Sequence, residues 1–237
     1  MSKSKQVVSV IIPNHNRNIE PIIDSLVATK YPGIDVNIVN WGMERSYQRN
    51  AAIGESFGDM LLILDSDQTI SPGLIKECVD LINQGYSCVY IPEIIIAKSF
   101  FGKIRAFERS FLDGTHVDVP RFVKKSSCPR FDESMSGPED ADWGQRIKGL
   151  RAVSKNVLYH HDDISFFEYC RKKAYYTKSM KNYMSKWPKD PCINFKYRCW
   201  TVFTEKGKWK RLLRHPILTL GVCFLLAVRG IIFYVNK

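Results

Sequence analysis

Short apolar runs recur through the first 90 residues, and each is followed by an amphipathic stretch. VVSVII (7–12), DVNIVN (35–40), MLLIL (60–64) and SCVYIP (87–92) have the length and composition of buried strands. Between them lie an amphipathic stretch near 18–29, ERSYQRNAAIGESF (44–57) and SPGLIKECVDLINQG (71–85). The last of these is well marked as a helix: Ser71 can cap it, Pro72 suits its first turn and Gly85 ends it. Such alternation predicts an α/β fold, with parallel strands flanked by helices and ligands at the carboxyl ends of the strands. Beyond residue 92 the pattern is less regular. It predicts helices over 100–111 and 139–149, and strands over 117–124 and 151–158. Residues 164–185 and 195–213 read as helices crowded with Lys, Arg, Tyr and Trp, the side chains of interfacial amphipathic helices. No internal repeat or low-complexity tract is seen.

The C-terminal pattern is different. Pro216 to Val235, PILTLGVCFLLAVRGIIFYV, is 20 residues with one charge, Arg229. That is long enough to cross a hydrocarbon core of about 30 Å. A buried C-terminal helix is the alternative. A mid-span Arg costs about 2.5–3.5 kcal/mol, so Arg229 must snorkel, find a partner, or mark a helix that is only partly inserted.

Charge sharpens this picture. The chain carries a formal +11, but residues 1–170 hold 19 Lys/Arg against 22 Asp/Glu, and residues 171–214 hold 14 Lys/Arg against only Asp190 and Glu205. The basic character therefore belongs to one segment, which points to an anionic surface as partner. The apolar stretch beside it favours a membrane over nucleic acid, and KGKWKRLLRH before it has the cytoplasmic charge bias of the positive-inside rule. The N-terminal MSKSKQVVSVII lacks signal-peptide design, so the main domain is expected in the cytosol. The seven cysteines are odd in number and form no CxxC pair, so neither a disulfide framework nor a structural zinc is expected.

Three acidic or histidine-bearing clusters carry candidate chemistry. Asp65-Ser66-Asp67 follows the apolar run MLLIL directly. Two carboxylates at a strand end can hold a hard divalent cation together with substrate phosphates, although an Asp after a strand often only caps a turn. In GPEDADWGQRI (137–147), Glu139, Asp140 and Asp142 suit a helix's first turn. At a cleft edge, one of them can also serve as a general base. LYHHDD (158–163) puts His160 and His161 at a strand end, available to metal or phosphate, or merely to surface or core.

The order of these blocks resembles family 2 of the inverting nucleotide-sugar glycosyltransferases, with the GT-A (Rossmann-like) fold. VVSVIIPNHNR, RNAAIGESFGDMLLILDSDQTISPGLI, RFDESMSGPEDADWGQRI and YHH match its motifs in order over about residues 6–162. The resemblance implies a GT-A catalytic domain (1–162), basic interfacial helices (163–214) and a single transmembrane helix with a short tail (215–237). It implies Mn2+ or Mg2+, a UDP- or GDP-sugar donor, a membrane with a lipid-linked or polyprenyl-phosphate acceptor, and no nucleic acid. Carried over by residue, Pro13, Asn14 and Arg17 line the nucleotide pocket and Arg49 lies near the diphosphate. Asp65 and Ser66 face the nucleotide, Asp65 shared with the metal. Asp67 ligates the metal, with His161 or His160 as its histidine. Asp140 is the base, with Glu139 second and Asp142 third. One departure stands out: the second strand ends in Asn40-Trp41 where the family usually has an acid that reads the nucleotide base. Asn40 can still hydrogen-bond a base edge, and Trp41 can stack. The same departure leaves open a non-catalytic nucleotide-binding or scaffolding relative that acts with a membrane partner. His15 stands in place of the family's usual Tyr.

Overall fold

In a computed structural model, residues 6–236 are described. Their strands are β1 (Val8–Pro13), β2 (Ile34–Val39), β3 (Met60–Ile63), β4 (Gln68–Ile70), β5 (Cys88–Tyr90), β6 (Glu93–Ile96), β7 (Phe122–Lys124), β8 (Arg151–Val153) and β9 (Leu158–His161). The helices are α1 (Glu20–Ala28), α2 (Arg45–Glu55), α3 (Leu74–Asn83), α4 (Phe100–Arg109), α5 (Glu139–Arg146), α6 (Phe166–Thr177), α7 (Met180–Lys186), α8 (Val202–Thr204), α9 (Trp209–Arg214) and α10 (Pro216–Val235).

Among the described residues the main sheet has six strands in the order β2-β1-β3-β7-β5-β8. The pairs β2–β1, β1–β3 and β5–β8 are parallel, while β7 runs antiparallel between β3 and β5. Period-two alternation makes the sheet two-sided. Val10, Ile12, Leu62 and Phe122 pack against Ile22 and Leu26 of α1 and Leu74, Ile75 and Cys78 of α3. Ile11, Leu61, Ile63 and Val123 pack on the other face against Ala52 of α2 and Trp143 of α5. The expected α/β architecture with a mainly parallel sheet is therefore present.

Three details differ from expectation. The strand expected over 117–124 is only Phe122–Lys124, and it lies antiparallel between β3 and β5 in an otherwise parallel sheet. The stretch 151–158 is split between β8 and β9, and β9 joins β4 and β6 in a second, three-stranded sheet. The stretch 195–213 is not one helix: a π-helical turn at Tyr197–Thr201 leads into α8, and Lys206 at φ 54° breaks the chain before α9.

A third apolar core joins α4, α6, α8 and α10 through Ile104, Tyr169, Phe203, Val222 and Leu225. α10 thus has one face on the body of the protein. At Gly221 an added Cβ would stand 2.5 Å from Ile104 Cδ1, so the missing side chain allows α10 to lie close on α4. Arg229 finds its partner here, in an ion pair with Glu108 of α4.

Candidate active site

The site forms at the carboxyl ends of β1, β2 and β3. After β1, Pro13 and Asn14 are buried, and Asn14 closes the loop: its Oδ1 accepts from Arg17 N at 3.2 Å and its Nδ2 donates to Asn40 Oδ1 at 3.0 Å. Gln48 of α2 donates to the carbonyls of Asn14 and Gly42, each at 3.1 Å. The ends of β1 and β2 are thereby tied to α2. Asn40 and Trp41 stand exposed at this edge, with Trp41 edge-on to Tyr47 at 5.4 Å.

After β3, the chain turns through Asp65-Ser66-Asp67-Gln68. Gln68 N donates to Asp65 O at 3.0 Å, and Asp65 N donates to Gln68 Oε1 at 2.9 Å. This turn leaves both aspartates at the sheet edge but gives them different neighbours. Asp65 Oδ1 accepts from Arg49 Nη2 at 2.9 Å, and Oδ2 from Arg121 Nη1 at 3.2 Å. Burial opposes its charge, but Arg121, then Arg49 and Arg45, outweigh it and hold the carboxyl far below the usual range. Asp67 instead pairs with Arg17 and lies 3.3 Å from His160 Nε2.

Arg49 is the hub. Its side chain is 0% exposed, it stacks over the Phe131 ring at 5.1 Å, and it pairs with both Asp65 and Asp140. Thus the acid after β3 and the acid at the start of α5, 75 positions apart, share one guanidinium. Glu139 lies beside them, 3.0 Å from Arg45 Nη2 and 3.9 Å from Arg49 Nη1. Burial, and then the Asp140 charge, push its carboxyl up from the usual range. α5 starts here because Gly137 takes φ +107°, a conformation that disfavours side chains, and because Tyr176 of α6 fills the space where a Cβ would sit.

Of the two histidines, the structure selects His160. Successive side chains of a strand face opposite ways. His160 turns inward between Asp67 and Glu93, whose Oε1 is 2.7 Å from Nδ1. Burial opposes its charge, but the bonds to Asp67 and Glu93 prevail and raise its pKa to about 10. His161 turns outward to Thr69 Oγ1 at 3.1 Å and is exposed, so of the two histidines expected at the metal or diphosphate it is the one that points away from Asp67. Asp142 also leaves the site: it is 0% exposed and bonded to Arg146, Lys186 and Trp187.

The donor set bears on the expected cation. Among the described residues no three Asp, Glu, His or Cys side chains are arranged as a ready metal cage. Both Asp65 oxygens are taken by largely buried guanidiniums, whereas Asp67 is partnered by Arg17, which is 53% exposed, and by His160. A site with one protein carboxylate completed by substrate oxygens fits Mg2+ or Mn2+.

Beside these acids opens a cleft of about 420 Å³, lined by His15, Glu44, Arg45, Glu139, Lys172 and Tyr176 among others. A larger one of about 580 Å³ lies between Pro188 and Thr201 and is lined by none of the candidate site residues. The motifs did not reveal Arg45, Arg121 or Glu93. Arg45 left a trace, being four residues before Arg49 and so on the same helix face. Glu93 left another, as an acid opening the apolar run EIII. Nothing marked Arg121.

Residues 40–130 match the family model "Glycosyl transferase family 2", a segment that holds Asn40, Arg49, Asp65, Asp67, Glu93 and Arg121. The match covers less than half of the chain, and it supports a glycosyltransferase. Among solved structures, the chain is similar to the mannosyltransferase PcManGT from Pyrobaculum calidifontis, in complex with GDP-Man and Mn2+. They share 12% identity over 98% of this chain and 88% of that one, with a TM-score of 0.60. It is also similar to S. aureus TarS, at 14% identity over 74% of this chain and a TM-score of 0.51, and it spans only 40% of the TarS chain. At such identities the likeness shows the GT-A fold. No curated protein matches the chain in sequence.

Proposed function

We propose that this chain is a metal-dependent, inverting glycosyltransferase that moves a sugar from a nucleotide-sugar donor to a membrane-associated acceptor, a lipid-linked or polyprenyl-phosphate molecule. The observation that carries the reading is Arg49, whose one guanidinium holds Asp65 beside Asp140. The nucleotide base lies by Asn40 and Trp41, with Pro13, Asn14 and Arg17 below it and Ser66 in the turn beside Asp65. The diphosphate lies between Arg17 and Asp67. A divalent cation held by Asp67 would neutralise the charge that develops on the leaving diphosphate.

The chain's own residues do the rest. His160, braced by Glu93, fixes the Asp67 carboxylate. Arg49 and Arg45 fix Asp140 and Glu139 at the start of α5. Asp140, with 26% of its side chain exposed against 2% for Glu139, is the carboxylate that can meet an acceptor. It orients the acceptor oxygen and takes its proton as that oxygen attacks the anomeric carbon opposite the leaving group, which inverts the centre. An acceptor that is already a phosphate asks little base strength, and Asp140 then acts on it mainly by orientation. Lys172 and Arg171 at the cleft suit such an anion. The complex of PcManGT with GDP-Man and Mn2+ supports a nucleotide sugar and a divalent metal here too.

The test is turnover of UDP- and GDP-sugars by purified protein with Mn2+ or Mg2+ and a polyprenyl-phosphate acceptor. The expected result is transfer with at least one donor, lost in Asp67→Asn and Asp140→Asn. No turnover of any donor with either metal overturns the proposal.

A further inference from the structure

The apolar helix α10 has the length of a membrane span, yet its contacts run along the catalytic body. Near its start the His215 ring sits 5.4 Å from Phe107 of α4, and further on Phe224 stacks on Phe166 of α6 at 5.8 Å. Val222 and Leu225 are buried, and Arg229 pairs with Glu108. Arg229 lies about 20 Å along the axis from Pro216 at 1.5 Å per residue. A helix standing across the bilayer would carry that ion pair deep into hydrocarbon, and α4 with it. α4 cannot go there. Next to Glu108, Arg109 is paired with Glu93 at 3.3 Å, and Glu93 holds His160 at 2.7 Å. Arg105 of the same helix is paired with Asp162 at 2.6 Å. The hydrocarbon would then lie three ion pairs from Asp67, through Arg109–Glu93, Glu93–His160 and His160–Asp67.

The opposite face of α10 is open and apolar: Ile217, Leu220 and Ile231 are 64–71% exposed, and Phe224, 56% exposed, stands at its border with α6. On α6, Phe167 continues it, 80% exposed and 5.9 Å from the Phe166 ring. The basic segment with Lys210, Arg211 and Arg214 leads directly into it. An apolar stripe with a cationic border matches the boundary between acyl chains and anionic headgroups.

We propose that α10 is an in-plane helix and does not cross the membrane. Its outer stripe lies in the interface of an anionic lipid bilayer, its inner face stays on α4 and α6, and both of its ends remain on the catalytic side. The inference rests on the membrane-associated reading above and says how that association is made.

Topology tests it. In full-length protein with the exposed Cys223 changed to Ser, Lys76→Cys marks the catalytic body and Asn236→Cys marks the end of α10, each in its own variant. Sealed vesicles from expressing cells are treated with a membrane-impermeant maleimide, and labelled positions are read by mass spectrometry. The expected result is the same labelled fraction at the two positions, whichever way the vesicles face. Complementary fractions, one site labelled and the other protected until detergent is added, overturn the in-plane assignment and leave the membrane reading intact. Dye-labelled Ile217→Cys, Phe224→Cys and Ile231→Cys, quenched by brominated lipids, give a second measure: equal shallow depths support the assignment, and a maximum at Phe224 overturns it. Protein that fails to float with phosphatidylcholine–phosphatidylglycerol vesicles overturns the membrane reading itself.

Discussion

Arg49 places three carboxylates in one field, which makes it the most exacting position in the site. Its side chain is fully buried and pairs with Asp65 and Asp140, with Glu139 at 3.9 Å. Arg49→Met removes the charge while keeping much of the volume. Breaking a buried pair by removing one partner costs about 3–5 kcal/mol, so a lower denaturant midpoint with unchanged slope is expected, together with lost turnover. Asp67 behaves differently. Its partners are His160 and the half-exposed Arg17, so Asp67→Asn is expected to lower the unfolding midpoint less than Arg49→Met does, while kcat falls about 10²–10³-fold, the scale for removing one transition-state charge contact. A stable protein with full activity after Asp67→Asn would show that the turn after β3 is only a turn. These residues also show what a sequence can disclose. Asp65, Asp67 and Asp140 stand in recognisable spacings. The choice between His160 and His161 does not, because a strand alternates faces and only the partner, Glu93 on β6, says which face is inside. Arg121 is invisible for the same reason: its role exists only once β7 lies beside β3.

Among the elements, the short ones were the hard ones. β1, β2 and β3 with α1 to α3 were legible because each has its own apolar period and its own boundaries. β4, β6 and β7 have three or four residues, and their pairing is set by distant partners such as β9 rather than by local pattern. Contacts between such pieces can be tested singly. Glu77 of α3 ties that helix to the turn before β9, accepting from Lys155 N at 2.7 Å and Asn156 N at 2.8 Å. Slight burial works against its charge, but these donors outweigh it and hold the carboxyl below the usual range. A depressed carboxyl stabilises the fold above its unfolded pKa, and that contribution is lost as pH falls through the folded one. Glu77→Gln is therefore expected to lower the melting temperature slightly near neutral pH, and the difference is expected to vanish in acid. A gap that stays constant down to the acid limb would show that the charge is not what matters there. The α10–α4 contact is larger. Arg229→Met alone strands Glu108 and is expected to cost about 3 kcal/mol, roughly 6–12 °C in melting temperature for a chain of this size. Glu108→Gln with Arg229→Met is expected to recover most of it. Equal losses in the single and double variants would mean that the two residues are not coupled.

At the scale of the whole molecule, charge and apolarity are separated along the chain, and the two should separate in experiment. Residues 171–214 carry 14 Lys/Arg against two acids, and α10 follows with an open apolar stripe. A basic side chain near an anionic leaflet contributes about 1 kcal/mol, and salt screens it over about 8 Å at physiological strength. Burial of apolar area does not depend on ionic strength in this way. Rising salt is therefore expected to weaken binding to anionic vesicles until it levels off at the affinity shown for neutral ones, with that floor supplied by α10. Ile217→Ser, Leu220→Ser and Ile231→Ser together remove three large exposed side chains without touching the face that rests on α4 and α6. At about 1.5 kcal/mol or more for each buried side chain, they are expected to lower the floor about 1,000-fold and to leave the salt-sensitive part in place. Donor hydrolysis in solution is expected to be unchanged, because the outer stripe touches neither Asp67 nor Asp140, while transfer to an acceptor embedded in vesicles falls with the bound fraction. A floor that survives the triple change would assign the salt-insensitive affinity to other exposed apolar side chains, such as Phe167 and Trp209, and leave the exposed face of α10 without a lipid to cover it.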